Sequence, residues 1–501
     1  MTTLVAAIED AARRHGAAPA LSWHQATWSY ADLAGAMSRV RDAIAAKVNA
    51  GDRVALLLRN SPQFAAAFYG VLGAGAAAVP LNVQERAGVL ARQIEHCGAR
   101  LVLADAAHVE FAALREALDG ARVTLLPLEL VDSANGCEAF GASLGVHPAT
   151  AAPVVGAESL ACIIYTSGTT GRPKGVMLSH ANLLSNARII ASYLGIEPAD
   201  KVMCPLPFHF SYGMSVLNSN LAAGAHIVLE DNLAFPQVVV KRLQDEGITG
   251  FAGVPATFAL LLGRTQLKDF NLARLRYVTQ AGGAMPRPQI QALRAALPHS
   301  RVFIMYGQTE ATARLSFLPP DELDEKLGSV GLPLPGVEIE IRDPAGHVVP
   351  EAEVGELCAR GPNVMMGYWD DATLTAQVVR DGWLHTGDLA HRDGEGYLYI
   401  DGREVEMIKV GAFRVSPQEI EEVLATLPGV QEVAVTGMPD ALLGQAIKAV
   451  IVPREGAALD VMSVKAHCRA HLANYKIPKV VEFAAELPRT SSGKVQRYKL
   501  A

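Results

Sequence analysis

The chain contains a stretch rich in glycine and small hydroxyl residues, YTSGTTGRPKG at 165–175, directly after the apolar run ACII. Glycines allow backbone N–H groups to turn inward and form an anion-binding nest, and serine and threonine hydroxyls add further donors. Lys174 adds a positive charge near the end of the stretch. These residues indicate a phosphate loop, while a structural turn is the alternative that the loop alone leaves open.

The spacing of this loop excludes the Walker class of phosphate loops. A Walker loop reads GxxxxGK[ST], and its final hydroxyl binds magnesium. Here the order is Gly168-x-x-Gly171-x-x-Lys174, and Gly175 follows the lysine in place of a hydroxyl residue. The loop therefore predicts phosphate binding of another kind.

Three more motifs carry chemistry further along the chain. In YGQTEAT (306–312), Glu310 is a hard oxygen ligand suited to the magnesium that ATP phosphates require, and Tyr306 offers a flat face for a base. In GWLHTGDLAHRDGEGYLYIDGR (382–403), Asp388 is a carboxylate of the kind that accepts from ribose hydroxyls. Lys494 lies in the Gly/Ser loop PRTSSGKVQR at 488–497. Taken singly, each has a plainer alternative: a polar loop, a common turn or a solvated lysine.

Alternating strands and helices must position these motifs. Residues 51–104 and 157–310 alternate apolar strand-like runs with helical stretches, for example LACIIY, AHIVLE, RYVTQAG and RVFIMYG. Such alternation predicts parallel sheets covered by helices. Ligands bind beyond the carboxyl ends of the strands of such sheets. The glycine-rich runs YTSGTTG, AGGAMP and YGQTEAT fall at those ends.

The pattern of apolar and turn-forming residues changes near residue 325. Short alternating runs and turn pairs predict a β-rich subdomain over about 325–400, and we place a domain boundary near 401–405. The final stretch contains PQEIEEVLATLPGV, which predicts a helix with one apolar face that begins at a cap at Ser416-Pro417. The residues of that face are Ile420, Val423, Leu424 and Leu427.

Composition limits the class of protein. The 501 residues suffice for several domains, and half of them are hydrophobic. The net charge is −7, which argues against nucleic acid or an acidic membrane as the main partner. No membrane span is predicted, because glycines and Pro80 interrupt the most apolar segment, 64–81, which we interpret as a buried helix that leads into a strand.

Six scattered cysteines form no CxxC pair, which disfavours a disulfide framework or a zinc site. The N-terminus, MTTLVAAIEDAARRHG, has early acids and no apolar segment of the kind found in signal peptides. Buried, reduced thiols and the lack of this signal favour a cytoplasmic protein.

Together and in this order, the motifs resemble those of the adenylate-forming superfamily, the AMP-dependent synthetases and ligases. Its members include acyl-CoA synthetases, coumarate-CoA ligases, peptide-synthetase adenylation domains and firefly luciferase. The resemblance extends from WSYADL (28–33) to Lys494. It implies an α/β fold with a large N-terminal domain, residues 1–401, of two α/β lobes and a small β-barrel. A hinge at 402–405 would join it to a small, mobile α+β C-terminal domain at 406–501.

The resemblance implies ATP, Mg²⁺ and coenzyme A as cofactors and assigns roles to residues. Lys494 would bridge the substrate carboxylate and the α-phosphate, Thr309 would contact that phosphate, and Glu310 would hold magnesium with Thr166. Tyr306 would stack on adenine, beside a pocket lined by Gly282, Gly283 and Ala284, and Asp388 with Arg403 would bind ribose. The β- and γ-phosphates would be held by Thr166, Ser167, Gly168, Thr169, Thr170, Gly171 and Lys174, and further nucleotide contacts would come from Gly307 and Lys409.

The resemblance also limits the acid. Peptide-synthetase domains hold an α-amino group with an aspartate in an FDxS-like segment, whereas PFHFSYGMS (207–215) has His209 and no acid. An α-amino acid is therefore disfavoured. In relatives, the residue at the position of His209 lines the acyl pocket and acts as a gate; a packed core histidine is the alternative. The other predicted walls are mostly apolar, which suits an aryl or alkyl acid: Tyr212, Met214, Phe251, Gly253, Val254, Ala281 and Met285.

Three points stay open at this level. Arg314 is interpreted either as a partner for a second polar group of the substrate or, more simply, as half of a surface salt bridge. The thiol acceptor is coenzyme A or, as the alternative, the phosphopantetheine arm of a carrier protein. The segment 331–360 lacks the insertion of fatty-acyl-AMP ligases, which favours a thioester product, whereas Val405 at the hinge and Ala412 near the thiol tunnel depart from the family pattern.

A non-catalytic nucleotide-binding relative is a third hypothesis. The joint presence of Thr166, Glu310, Asp388 and Lys494 argues against it. The oligomeric state is not predicted.

Overall fold

The computed structural model describes residues 2–133, 136–149, 153–166, 174–403, 406–410, 413–440, 444–490 and 493–500. Its helices are α1 (Leu4–His15), α2 (Tyr30–Ile44), α3 (Pro62–Gly73), α4 (Ala87–His96), α5 (Phe111–Ala117), α6 (Gly136–Leu144), α7 (His180–Leu194), α8 (Ser211–Ala223), α9 (Pro236–Asp245), α10 (Pro255–Arg264), α11 (Arg287–Ala296), α12 (Ala372–Val378), α13 (Pro417–Ala425) and α14 (Val461–His471).

The strands are β1 (Pro19–Trp23), β2 (Ala26–Ser29), β3 (Arg53–Leu57), β4 (Ala77–Pro80), β5 (Leu101–Asp105), β6 (Thr124–Leu128), β7 (Leu160–Thr166), β8 (Lys174–Ser179), β9 (Lys201–Cys204), β10 (His226–Leu229), β11 (Gly250–Gly253), β12 (Tyr277–Gln280), β13 (Arg301–Tyr306), β14 (Ser316–Leu318), β15 (Leu332–Pro333), β16 (Glu338–Arg342), β17 (Gly355–Arg360), β18 (Gly367–Tyr368), β19 (Val379–Arg380), β20 (Trp383–Arg392), β21 (Leu398–Arg403), β22 (Ile408–Val410), β23 (Phe413–Val415), β24 (Val430–Asp440), β25 (Gly444–Pro453) and β26 (Val480–Phe483).

Two large sheets form the bulk of the chain. The seven-stranded sheet has the order β18-β8-β7-β4-β3-β5-β6, and the nine-stranded sheet has the order β15-β14-β13-β12-β11-β9-β10-β1-β2. Strands β9 to β13 run parallel to one another within the nine-stranded sheet, as do β3 to β6 within the other. The alternating apolar runs thus form buried strands with helices between them, and the α/β fold class is confirmed.

Helices α2 and α3 pack closely at the centre of the first lobe. Every residue of α3 from Pro62 to Leu72 is buried, which agrees with the buried helix expected for the apolar segment. A Cβ atom at Gly70 would lie 2.6 Å from the Cβ of Val40, so only glycine allows this approach of the two helices. None of the helices in the described ranges combines the length and apolar character that a membrane crossing requires.

The β-rich region forms a small antiparallel sheet of order β16-β17-β20-β19, with β21 paired to β20. The C-terminal sheet, β23-β22-β25-β24 with β26 beside β25, packs against α13 and α14. Ile420 and Leu424 are buried on α13 as expected. Ser416 occupies the N-cap position, but its hydroxyl donates to the carbonyl of Asp401 at 2.5 Å and does not cap the helix.

The last strand of the small sheet ends at Arg403 and the first strand of the C-terminal sheet begins at Ile408. Val405 of the predicted hinge and Ala412 of the predicted thiol tunnel lie outside the described residues. The division into domains at 401 and 406 stays a prediction.

Candidate active site

Several predicted site residues lie at the carboxyl ends of neighbouring strands, along one edge of the nine-stranded sheet. In the parallel trio β11, β12 and β13, Gly253 is the register partner of Gln280, which pairs with Ile304. The residues that follow, including Val254, Ala281 and Tyr306, therefore lie at the same carboxyl edge of the nine-stranded sheet. In the other lobe, Thr166 at the end of β7 and Lys174 at the start of β8 are register partners. Ser167, Gly168, Thr169, Thr170 and Gly171 lie outside the described residues.

Asp388 is the centre of a buried polar group. Its Oδ2 accepts from the hydroxyl of Tyr306 at 2.6 Å, and its Oδ1 accepts from Nε of Arg403 at 2.7 Å. The charge of Asp388 raises the pKa of Arg403 above its usual value. Burial raises the pKa of Tyr306 and the carboxylate adds to this effect, so the phenol stays a neutral donor. The sequence named all three residues, and the structure brings them together.

The backbone around Asp388 is shaped by a neighbouring glutamate. Gly387 has a φ of 71°, a conformation that favours glycine, and its N–H donates to Glu356 at 3.2 Å. The other oxygen of Glu356 lies 2.7 Å from Nδ1 of His385. Glu356 and His385 were not among the residues predicted from the sequence. They connect β17 to β20 and fix the turn that aims Asp388.

Glu310 lies in a short 3-10 turn, Thr309–Ala311, that follows β13. Its Oε1 accepts from the hydroxyl of Tyr368 at 2.8 Å. The Nζ atom of Lys174 lies 5.7 Å from the centroid of the same tyrosine ring, within reach of a cation–π interaction. Tyr368 thus joins the predicted metal ligand to the phosphate-loop lysine. The motif GYWD (367–370) was not singled out, although its apolar context marks a short strand.

Two contacts fix the loop after β13: the backbone packs closely at Gly307, and the hydroxyl of Thr309 pairs with that of Ser211. A Cβ atom at Gly307 would lie 2.4 Å from the carbonyl oxygen of Ala313, so the loop can fold back only over glycine. The Oγ1 atom of Thr309 lies 3.1 Å from Oγ of Ser211 at the start of α8. The turn that carries Thr309 and Glu310 is therefore fixed to the start of α8.

Lys494 is brought into the electrostatic field of the same group. Burial lowers the pKa of Lys494, and the positive charge of Arg403 lowers it further. The carboxylates of Asp388 and Glu310 act in the opposite direction. Lys494 is nevertheless exposed, so neighbouring protein groups surround its ammonium without shutting it off from solvent. A bound anion there would favour the charged ammonium.

The hairpin that carries Lys494 is anchored on both sides. The carbonyl of Gly493 accepts from Arg489, whose other nitrogen donates to Glu432 at 2.6 Å. Arg497 donates to Glu421 at 2.9 Å and to Glu406 at 3.1 Å. None of these anchors was predicted, because the ion pairs of Arg489 and Arg497 join residues that are 57 to 91 positions apart.

The predicted acyl pocket lies beside this hairpin. A Cβ atom at Gly493 would lie 3.1 Å from Cγ2 of Val254. The Tyr212 hydroxyl donates to the carbonyl of Thr279 at 2.8 Å. Met214, Phe251, Ala281 and Met285 are buried, and Gly282 has a φ of 89°.

His209 is buried against Phe210, and its Nε2 has no hydrogen-bond partner among the described residues. Burial lowers the pKa of His209 to about 4, so the imidazole is neutral near pH 7.

The remaining predicted residues lie further out. Gly283 and Ala284 are exposed, and the carbonyl of Gly283 accepts from Gln280 at 2.8 Å. Lys409 lies on β22, and within the described ranges its recorded contact is made by its backbone N–H to Gln445 at 2.7 Å. Arg314 is only 2% exposed, so the simple interpretation as a surface salt bridge is wrong.

The two lobes, the small antiparallel sheet and the C-terminal lysine hairpin over one cleft define an adenylate-forming type of enzyme. A model of the AMP-binding enzyme family matches residues 8–369, and a model of its C-terminal domain matches residues 419–494. The chain belongs to the AMP-binding enzyme family, and within it to the acid–thiol ligases.

Curated relatives and solved structures agree with this assignment. The chain is 35% identical over 472 residues to a feruloyl-CoA synthase of Amycolatopsis sp, covering 93% of this chain and 92% of the relative. It is 35% identical over 476 residues to an indoleacetate–CoA ligase of Aromatoleum aromaticum, covering 94% and 92%.

Among solved structures, the chain resembles the anthranilate CoA ligase AuaEII in complex with anthranoyl-AMP, with a TM-score of 0.90, 27% identity and coverage of 100% and 96%. It also resembles ATP-bound MatB from Rhodopseudomonas palustris, with a TM-score of 0.90, 30% identity and coverage of 99% and 98%.

Proposed function

We propose that this chain uses ATP to activate an aryl or alkyl carboxylic acid as an acyl-AMP, with release of pyrophosphate, and then transfers the acyl group to the thiol of coenzyme A. The observation that carries the proposal is the position of Lys494. Its hairpin touches Val254 of the acyl pocket, while its side chain lies in the field of Asp388 and Glu310. One cation therefore lies between the candidate acyl and nucleotide sites.

The first step needs charge stabilisation and positioning more than proton transfer. The acid is already ionised, so its oxygen attacks the α-phosphorus directly, and the bond to pyrophosphate breaks. Negative charge develops on the α-phosphoryl oxygens and on the leaving group. Lys494 would stabilise that charge, and the Thr309 hydroxyl would donate to the same phosphate. No general base is required.

Asp388 and its partners would hold the nucleoside. Each carboxylate oxygen accepts one hydrogen bond, from Tyr306 or Arg403, and retains a second lone pair for a ribose hydroxyl. The two donors fix the carboxylate before ATP binds, which lowers the entropy lost on binding. Tyr306 would present its ring to adenine beside Gly282.

The residues present fit a magnesium ion. Glu310 is a hard oxygen donor whose recorded hydrogen bond occupies Oε1 alone, and Thr166 at the end of β7 adds a hydroxyl. Magnesium takes one or two protein ligands and completes its shell with phosphate oxygens and water. When bound, the ion would neutralise charge on the phosphates.

The pocket walls favour an acid without an α-amino group. The segment that begins α8 carries His209, which is neutral near pH 7, and the other predicted walls are mostly apolar. Such walls bind aryl or alkyl chains. The relatives named above are named for feruloyl, indoleacetate and anthranilate groups, and another relative, from Cupriavidus necator, is a sulfoacetate–CoA ligase. This range supports a carboxylic acid as the class.

Coenzyme A is the acceptor that the relatives support, since those named above are CoA ligases or synthases. Loading of a carrier protein remains the alternative. We place the reaction in the cytoplasm, because all six cysteines are unpaired and five of them are buried.

The test is pyrophosphate release with a panel of carboxylic acids, with and without coenzyme A. We expect Lys494→Ala to lower the rate of release by about 10²–10³, as for loss of an oxyanion donor, while ATP binding is retained. Lys499→Ala, an exposed lysine five positions away, serves as the matched control. Unchanged acyl-AMP formation in Lys494→Ala would remove this lysine from the mechanism. Rapid release without acylation of coenzyme A would favour the carrier-protein alternative.

A further inference from the structure

Arg314 is a buried cation that pairs with no carboxylate of the described residues. It follows the turn that carries Glu310, and its Nη1 donates to the carbonyl of Ala313 at 2.9 Å. Its Nε has no hydrogen-bond partner, and no carboxylate of the described residues lies within 4.0 Å of its guanidinium. Guanidinium stays protonated in proteins. The guanidinium interacts with the neutral hydroxyl of Tyr193 and with the ring of Tyr212, neither of which carries a negative charge. Burying a charge without a counter-charge is costly.

The side chain lines a small cavity. The cavity lies between the nine-stranded sheet and helices α7 and α8, and its free space of about 10 Å³ would hold about one water molecule. Two further buried polar atoms on its wall lack a partner among the described residues, the hydroxyl of Tyr277 and Oδ1 of Asn220. Ser215 and Thr279 also line it. Several unsatisfied polar groups thus surround one space.

This cavity adjoins the acyl pocket. The guanidinium carbon of Arg314 lies 4.2 Å from the ring centroid of Tyr212, one of the predicted pocket walls. Phe251, another predicted wall, lines the cavity itself. Tyr212 also lies within 4.0 Å of the Cβ position of Gly282, at the strand edge where the nucleotide is placed. Arg314 therefore occupies the inner end of the pocket, beyond Tyr212.

We propose that Arg314 recognises a second anionic group at the far end of the acid, so that the preferred substrates are dianionic carboxylic acids. This inference rests on the proposed function. A guanidinium binds a carboxylate or a sulfonate through paired N–H donors. The small free volume favours a compact end group. A buried arginine that serves only packing would give no such preference.

The test uses matched acid pairs that differ in one end group: butyrate with succinate, and 4-methylbenzoate with terephthalate. The readout is kcat/KM for pyrophosphate release. We expect the wild-type protein to prefer the dianionic member of at least one pair by about 10–100-fold, the range of a hydrogen bond to a charged group. Arg314→Met should remove or invert that preference, and Arg314→Lys should retain part of it. Arg115→Met, an exposed arginine on α5, is the control and should leave it unchanged.

The outcomes separate this inference from the function on which it rests. A wild-type preference for the monoanionic acid in both pairs, or equal effects of Arg314→Met on both members, would overturn the inference and leave the ligase function intact. If none of the acids supports pyrophosphate release, both the inference and the proposed function are contradicted. Removing the charge of Arg314 leaves no partner charge uncompensated among the described residues, so Arg314→Met should fold and melt close to the wild-type protein. If it fails to fold, Arg314→Lys and the wild-type preference decide the question.

Discussion

At the scale of single residues, Tyr368 contacts the candidate site although it lies outside the motifs that predicted that site. Its hydroxyl donates to Oε1 of Glu310, and its ring lies below the ammonium of Lys174. Burial raises the pKa of Tyr368 and the charge of Glu310 raises it further, so the hydroxyl remains a donor. The tyrosine thereby orients the candidate metal ligand.

Tyr368→Phe tests this role. We expect a loss of about 10-fold or more in pyrophosphate release, together with a higher magnesium requirement, because a hydrogen bond to a charged group is lost. The measurement is the rate as a function of magnesium concentration. Tyr399→Phe removes a hydroxyl whose contact with Asp393 is 3.5 Å, and it should behave like the wild-type protein. A Tyr368→Phe variant with an unchanged magnesium curve would contradict the role.

The sequence predicted Glu310 but not Tyr368 for a physical reason. Glu310 belongs to a contiguous motif, whereas Tyr368 reaches it from 58 residues away through the pairing of β18 with β8. For Arg314, the sequence position pointed to the site but the burial could not be predicted. Its spacing from Glu310 was visible, but its burial depends on the packing of α7 and α8 over the sheet. A single sequence records composition and periodicity and does not record such long-range packing.

At the scale of elements, the buried strands of both lobes were predictable because continuous apolar runs mark them. The hydrogen bond of Ser416 was not predictable. Its hydroxyl donates to a carbonyl of β21 and does not accept from the N–H groups of the helix. The hairpin of Lys494 is the element with most consequence for function. Its anchors, Arg489 and Arg497, convert a Gly/Ser loop into a fixed support.

Arg497→Met should separate the two half-reactions. Loss of its bonds to Glu421 and Glu406 would free the hairpin, so adenylation should fall while thioester formation from a supplied acyl-AMP is retained. Pyrophosphate release and acyl-CoA formation are measured separately. Arg454→Met, which loses only a bond to the carbonyl of Val430, is the control. Equal losses in both steps would point to general destabilisation.

At the scale of the whole molecule, buried histidines set the acid limit of stability. Burial lowers the pKa of His180, His209 and His226 to about 4 each. Between pH 6.5 and 4 the unfolded chain binds protons there and the folded protein does not, so stability falls as the pH falls, by about 1.4 kcal/mol per pH unit for each group. His24, whose pKa is raised by Asp132, acts in the opposite sense.

The expected result is a melting temperature that declines steadily from pH 6.5 to pH 5, a range above the titration of ordinary carboxylates. His226→Gln keeps a polar side chain that can bond to Ser22, as Nε2 of His226 does at 2.8 Å, and it should make the decline shallower. A melting temperature that is flat or rises over this range would contradict the assignment of neutral, buried histidines.

The contact between the large lobes and the C-terminal region offers the last test. Arg287 on α11 lies 3.6 Å from Glu422 on α13, and both side chains are partly exposed. Such pairs contribute about 0.2–1 kcal/mol, so Arg287→Glu should disfavour the arrangement that places Lys494 in the cleft and slow pyrophosphate release by about two- to fivefold. Thioester formation from a supplied acyl-AMP should not slow, because it does not use that arrangement. The charge swap Arg287→Glu with Glu422→Arg should restore release. A swap that is as slow as the single variant would show that this ion pair does not bias the position of the lysine hairpin.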